Sequence, residues 1–102
     1  MPNPNYVRGR AFEYREKKFW EGNGAVVMRT AGSHGIFDLI VVWPTGYMMG
    51  VQCKIVATDK EAELLGRKWK KSPPLPQGHY IQCLEVYSKQ SRSILRFVID
   101  RL

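Results

Sequence analysis

Two apolar runs around a short turn constrain this chain more than any other feature. Ile36 to Trp43 and Tyr47 to Val56 are rich in β-branched and aromatic residues, and Pro44-Thr45-Gly46 between them reads as a three-residue hairpin loop. With that loop Trp43 faces Tyr47, and counting outward sets Asp38 opposite Gln52. Side chains directly opposed on one face have Cβ atoms about 4.5–5.5 Å apart. Lys54 lies two residues beyond Gln52 and shares its face. The hairpin is therefore expected to present Asp38, Gln52 and Lys54 together, among Leu39 to Val42, Val51, Cys53 and Ile55. Polar groups in such surroundings are costly unless paired or ligated. A slip of one residue in the loop would scatter them.

The rest of the chain supplies elements around this hairpin. Residues 1–5, with two prolines and two asparagines, read as a flexible N-terminal arm. From Tyr6 to Glu21, Val7, Ala11, Phe12 and Phe19 recur at helical spacing, and Arg8, Arg10, Arg15, Glu16, Lys17 and Lys18 make the polar remainder. Gly22-Asn23-Gly24 stops that helix. Ala25 to Met28 reads as a short strand, and Thr30 to Gly35 as a polar loop. Thr58-Asp59-Lys60-Glu61 has the form of a capping box, opening a helix with Ala62, Leu65 and Trp69 on one face. It ends by Lys71, before Ser72-Pro73-Pro74. His79 to Tyr87 and Ser93 to Ile99 form a last pair of strands around Ser88 to Ser91. The expected order is α-β-β-β-α-β-β, a single α/β domain over residues 1–102 with a mixed five-stranded sheet flanked by helices.

Charge narrows the function classes. Sixteen Lys and Arg against nine Asp and Glu give a formal net charge of +7, which favours a polyanionic partner such as nucleic acid. No apolar run approaches the roughly 20 residues of a membrane span, and the N-terminus lacks the pattern of a secretory signal. A cytoplasmic protein without a membrane partner is expected. Cys53 and Cys83 sit in strand-like runs outside any CxxC pair, so they read as free, packed thiols rather than as zinc ligands with His34 and His79.

Arg8-Gly9-Arg10-Ala11-Phe12-Glu13, Arg29-Thr30-Ala31-Gly32-Ser33-His34-Gly35, Phe37-Asp38-Leu39-Ile40 and Val51-Gln52-Cys53-Lys54 occur in this order along the chain. Together they resemble the archaeal-type Holliday junction resolvases, members of the PD-(D/E)xK, restriction endonuclease-like superfamily. The resemblance runs from Tyr6 to about Lys70. Each string is weak alone; their common order and spacing in a small basic chain carry the signal.

The resemblance implies a Mg²⁺-dependent endonuclease, with Mn²⁺ as a substitute and no small-molecule cofactor, that cuts four-way DNA junctions as a homodimer. It is compatible with a phage or archaeal origin. Residue by residue, it implies that Asp38 and position 52 ligate the metal with the Cys53 backbone carbonyl. Lys54 would hold or deprotonate the attacking water, and Glu13 would reach in from the first helix toward a second metal or its water. Ser33 would position the scissile phosphate. Such a metal polarises the phosphodiester and generates the nucleophile. Gln52 departs from the pattern, which has Glu there, and leaves the site one negative charge short. Either Gln is native, or it is a Glu→Gln change that inactivates the enzyme; the intact remainder of the motif favours the second.

Plainer readings stand beside these roles. Asp38 could bond loop amides, Lys54 could snorkel to the surface, and Glu13 could pair with Lys17 one turn on. Trp43, Trp69 and Phe12 read as core. Lys68, Lys70 and Lys71 suit a helix C-terminus, but with Arg8, Arg10, Arg15 and Arg67 they read better as a phosphate-binding surface. Arg29, Ser33 and His34 join them as candidate DNA contacts, although His34 reads more simply as an exposed turn residue. The dimer surface would draw on Ile94 to Leu102 or on Leu64 and Leu65. Two alternatives differ in class or substrate: another nuclease of this superfamily acting in repair or restriction, and a junction-binding protein whose site has decayed.

Overall fold

In the computed structural model, which describes residues 4–30, 36–76 and 78–100, the central hairpin forms in the expected register. Trp43 N–H donates to Tyr47 O at 3.0 Å and Gly46 N–H to Trp43 O at 2.9 Å. Gly46 takes φ +93°, the left-handed conformation that a three-residue hairpin loop requires at its last position. Strands β2 (Leu39–Val42) and β3 (Met48–Val56) pair antiparallel, Leu39 with Val51 and Val42 with Met48. Strand β1 (Val26–Arg29) adds antiparallel to β2, with Arg29 opposite Leu39.

Helix α1 (Pro4–Gly22) precedes β1, and helix α2 (Asp59–Lys71) connects β3 to β4 (Ile81–Ser88). The crossover makes β3 and β4 parallel, with Gln52 opposite Leu84 and Cys53 opposite Glu85. Strand β5 (Ser93–Ile99) closes a sheet of order β1-β2-β3-β4-β5. The architecture is α/β with a mixed five-stranded sheet, in the element order expected. Helix α1 starts at Pro4, inside the stretch expected as an arm. Proline costs nothing in a first helical turn, where its missing N–H has no intrahelical partner.

The sheet divides the core. Leu39, Val41, Met49, Val51 and Cys83 pack with Val27 and Ala25 on one face, joined by Trp20 of α1. Leu84, Val86, Ala62 and Trp69 pack on the other, under α2. Thr58 caps α2 as expected, its Oγ1 accepting from Glu61 N–H at 3.2 Å. Gly66 stands in mid-helix because a Cβ there would lie 2.1 Å from the Phe97 ring of β5. Among the described residues, α2 packs against β3, β4 and β5 only. The β1–β2 half of that face is therefore bare: Val26 is 65% exposed, Met28 52% and Met48 46%, with Ile40 and Val42 between them.

The inner face of α1 departs from the periodicity read above. Ala11 and Phe19 are exposed, whereas Glu16, placed with the polar remainder, is 1% exposed. Glu16 lies against Glu85 of β4, which is fully buried. Arg96 of β5 donates through Nη2 to Glu16 at 2.9 Å and through Nε to Glu85 at 3.0 Å, and Trp20 Nε1 donates to Glu85 at 2.7 Å. Burial and the hydrogen bond to Glu16 push the Glu85 carboxyl up to about 8. One guanidinium faces two carboxylates here, which favours a proton on Glu85.

Candidate active site

The β2–β3 ladder stops at Leu39 and Val51, one step short of Asp38 and Gln52. Asp38 does not simply face Gln52; it brackets it. Its N–H donates to Val51 O at 2.7 Å, and its Oδ2 accepts from Cys53 N–H at 2.8 Å. The carboxylate thus takes the place of a strand carbonyl where the two strands part. Beyond Val51, β3 continues to Val56 with a ladder partner on its β4 side only. This leaves a notch along β3 with Asp38 at its head. A residue's N–H and C=O point to the same strand edge, so the Cys53 carbonyl faces the notch beside Asp38.

Packing holds Asp38 there. Phe37 lies over Gly50, where a Cβ would sit 2.4 Å from its ring, and belongs to the core cluster under α2. Thr30 fastens the other side, its Oγ1 donating to Phe37 O at 2.6 Å and its N–H to Asp38 O at 3.0 Å. Asp38 is half-buried and Lys54 exposed. Lys54 borders two depressions, one with Arg8, Phe12 and Lys89, the other with Gln52, Lys68 and Trp69. Gln52, Lys54 and Lys68 are thereby brought together. Trp69 Nε1 is buried without a hydrogen-bond partner at this depression.

Glu13 is at the same end of the sheet, and its pairing partner is not the Lys17 of its plainer reading. Its Oε1 accepts from Arg29 Nε at 3.1 Å, and the Arg29 guanidinium stands 4.5 Å over the Tyr14 ring. Lys17 pairs instead with Glu21, at 2.9 Å. Arg29 is thus engaged in a partly buried pair rather than standing as a free phosphate contact. Arg8 and Arg15 of α1 and Arg67, Lys68, Lys70 and Lys71 of α2 are exposed, while Arg10 has an interaction of its own. Ser33 and His34 lie outside the described residues. Burial, with Glu85 and Asp38 nearby, pushes the Cys53 thiol far up, and burial raises Cys83 likewise. Burial favours the protonated thiol at both positions, which suits the packed free thiols expected.

No protein-family model matches the chain, and no curated protein matches it. The site therefore rests on its chemistry. Among the described residues, no group of three His, Cys, Asp or Glu could hold a metal. The oxygens placed at the notch are one carboxylate and one backbone carbonyl, with Gln52 the residue between their anchor points. That set fits a hard cation that keeps several waters, and it is short of anionic charge. A Gln52→Glu change would add a second carboxylate on the residue that Asp38 brackets.

Two residues at this end of the sheet escaped the sequence reading. Tyr87 and Lys89 reach the neighbourhood of Lys54 because β4 runs parallel to β3, which sets Tyr87 opposite Ile55. Parallel register is fixed by a crossover rather than a turn, so no local signal announces it.

Proposed function

We propose that the chain is a Mg²⁺-dependent, structure-selective endodeoxyribonuclease of the restriction endonuclease-like kind, acting on four-way DNA junctions, with Gln52 holding it in a weakened or inactive form. One observation carries this reading: Asp38 brackets Gln52 where β2 and β3 part, and Lys54 follows on the open edge of β3.

Asp38 and the Cys53 carbonyl would hold the cation, with position 52 completing the set. When bound, Mg²⁺ supplies Lewis-acid activation of the phosphodiester and a more acidic water. Lys54, on the notch edge, would orient that water and offset charge on the phosphate. Arg8 on one side and Lys68 on the other extend the positive surface along the strand that is cut. Glu13, held by Arg29, would order water at this centre.

Two symmetric cuts call for two copies related by a dyad. The bare sheet face of Val26, Met28, Ile40, Val42 and Met48 suits that contact better than the segments expected from sequence. Leu95, Phe97 and Ile99 are spent in the core under α2, as is much of Leu65. An exposed apolar patch on three adjacent strands is what a self-association surface requires.

The test is cleavage by the Gln52→Glu protein, with Mg²⁺, of a four-way junction, a flap and a linear duplex of matched sequence. Preferential cutting of the junction at paired sites supports the reading. Faster cutting of the flap or duplex would assign the chain to repair- or restriction-type nucleases instead.

A further inference from the structure

A groove runs between the first half of α1 and the C-terminal ends of the parallel strands β3 and β4. It has a volume of about 380 Å³, within the range of small-molecule sites. Its floor is apolar, made by Ala11, Phe12, Ile55 and the ring of Tyr87. Its rim is Arg8, Arg15 and Lys89, and among the described residues no carboxylate lines it. Phe12 supports Tyr87 with ring centroids 6.0 Å apart, and the Arg15 guanidinium stands 5.7 Å from the Tyr87 ring centre. Past Arg8 and Phe12 the depression continues to Cys53 and Lys54, at the notch.

We infer that this groove receives one unstacked nucleotide of the DNA substrate, its base against Tyr87 and its phosphates on Arg8, Arg15 and Lys89, and so feeds the adjoining phosphate toward Lys54. This inference rests on the nuclease reading for its choice of DNA.

The ligand class follows from the shape and charge together. A paired, stacked duplex offers phosphates and groove edges but no base face, so an aromatic floor behind a cationic rim is wasted on it. A base out of the stack offers both a π-face and flanking phosphates. Stacking on an aromatic side chain tolerates any base, which suits an enzyme selecting shape over sequence. Branch points are where duplex DNA gives up its stacking most cheaply. The groove thereby supplies a structural basis for discrimination against intact duplex.

The experiment compares binding of a labelled oligothymidine with that of an abasic strand of equal length, which carries the same phosphates without bases. Fluorescence anisotropy in EDTA gives both affinities for the unaltered protein, Tyr87→Leu and Lys89→Gln. The unaltered protein should bind the base-bearing strand about 5- to 150-fold more tightly. Tyr87→Leu should abolish that preference, and Lys89→Gln should weaken both strands alike while reducing the salt slope by about 0.7. Equal affinity of the unaltered protein for the two strands would overturn the inference, even if Tyr87→Leu fails to fold. So would a preference that survives in folded Tyr87→Leu protein. Junction cleavage by Gln52→Glu separates the two proposals. Cleavage without base preference removes the groove and leaves the nuclease; base preference without cleavage does the reverse.

Discussion

Glu85 is the residue whose environment differs most from its sequence context. It is buried between Arg96, Trp20 and Glu16, and its carboxyl is raised from 4.5 to about 8. A group raised on folding binds its proton more tightly in the native state. Its contribution to stability is complete below the ordinary carboxylate range and is lost as pH rises through about 8. Thermal melting between pH 5 and 9 should show the unaltered protein losing stability with rising pH. Glu85→Gln, which keeps the shape of the protonated acid, should flatten that dependence; equal slopes for the two proteins would contradict the assignment. Neither Glu85 nor Glu16 was legible as a core residue, because only tertiary pairing with Arg96 makes their burial tolerable. Asp38, Gln52 and Lys54 were legible, because a turn and a period-2 alternation suffice to group them. The splaying at Asp38 was not, since Phe37 over Gly50 and the Thr30 bonds that fix it come from separate elements.

At the scale of elements, helix α2 and the central hairpin follow from local chemistry. The Thr58 cap, the Pro73-Pro74 stop and the left-handed Gly46 each act within a few residues. Gly66 is the exception, a helix-interior glycine explained only by β5. Replacing it with Ala gains about 1 kcal/mol of helix propensity. The new Cβ, 2.1 Å from the Phe97 ring, costs about 1–3 kcal/mol through overpacking. Gly66→Ala should therefore lower stability in denaturant titration, and adding Phe97→Leu should recover part of the loss. A stabilised Gly66→Ala protein would show that the ring yields freely. Leu75, in the proline-rich stretch after α2 whose prolines disclose little alone, is tied down by buried Gln82. The Gln82 amide donates to Leu75 O at 3.1 Å and accepts from Leu75 N–H at 3.2 Å. That pairing spans only seven residues, but it depends on Gln82 being buried in β4, which the segment's own residues do not announce.

For the whole molecule, the two faces of the sheet are unequal. Helix α1 packs over β1, β2 and β3 on one face and α2 over β3, β4 and β5 on the other, which leaves the β1–β2 side of the second face open. Among the described residues, no helix is long and apolar enough to cross a membrane. The proposed dimer covers the open face. Met28→Glu should leave the fold intact, since Met28 is 52% exposed, and should give a monomer in sedimentation analysis. An unchanged dimer would move the interface elsewhere; an unaltered protein that is monomeric at all concentrations would remove the dimer altogether.

The central claim is that the notch at Asp38 is a metal-dependent hydrolytic site lacking one carboxylate. Its most direct measurement is the single-turnover cleavage rate of a four-way junction by the unaltered protein and by Gln52→Glu, each with Mg²⁺ and with EDTA. Gln52→Glu should cut at least about tenfold faster, a factor equal to about 1.4 kcal/mol of barrier. The gain should vanish in EDTA and when Asp38→Asn is added. Equal rates for the two proteins, or a gain that survives EDTA or Asp38→Asn, would contradict the account.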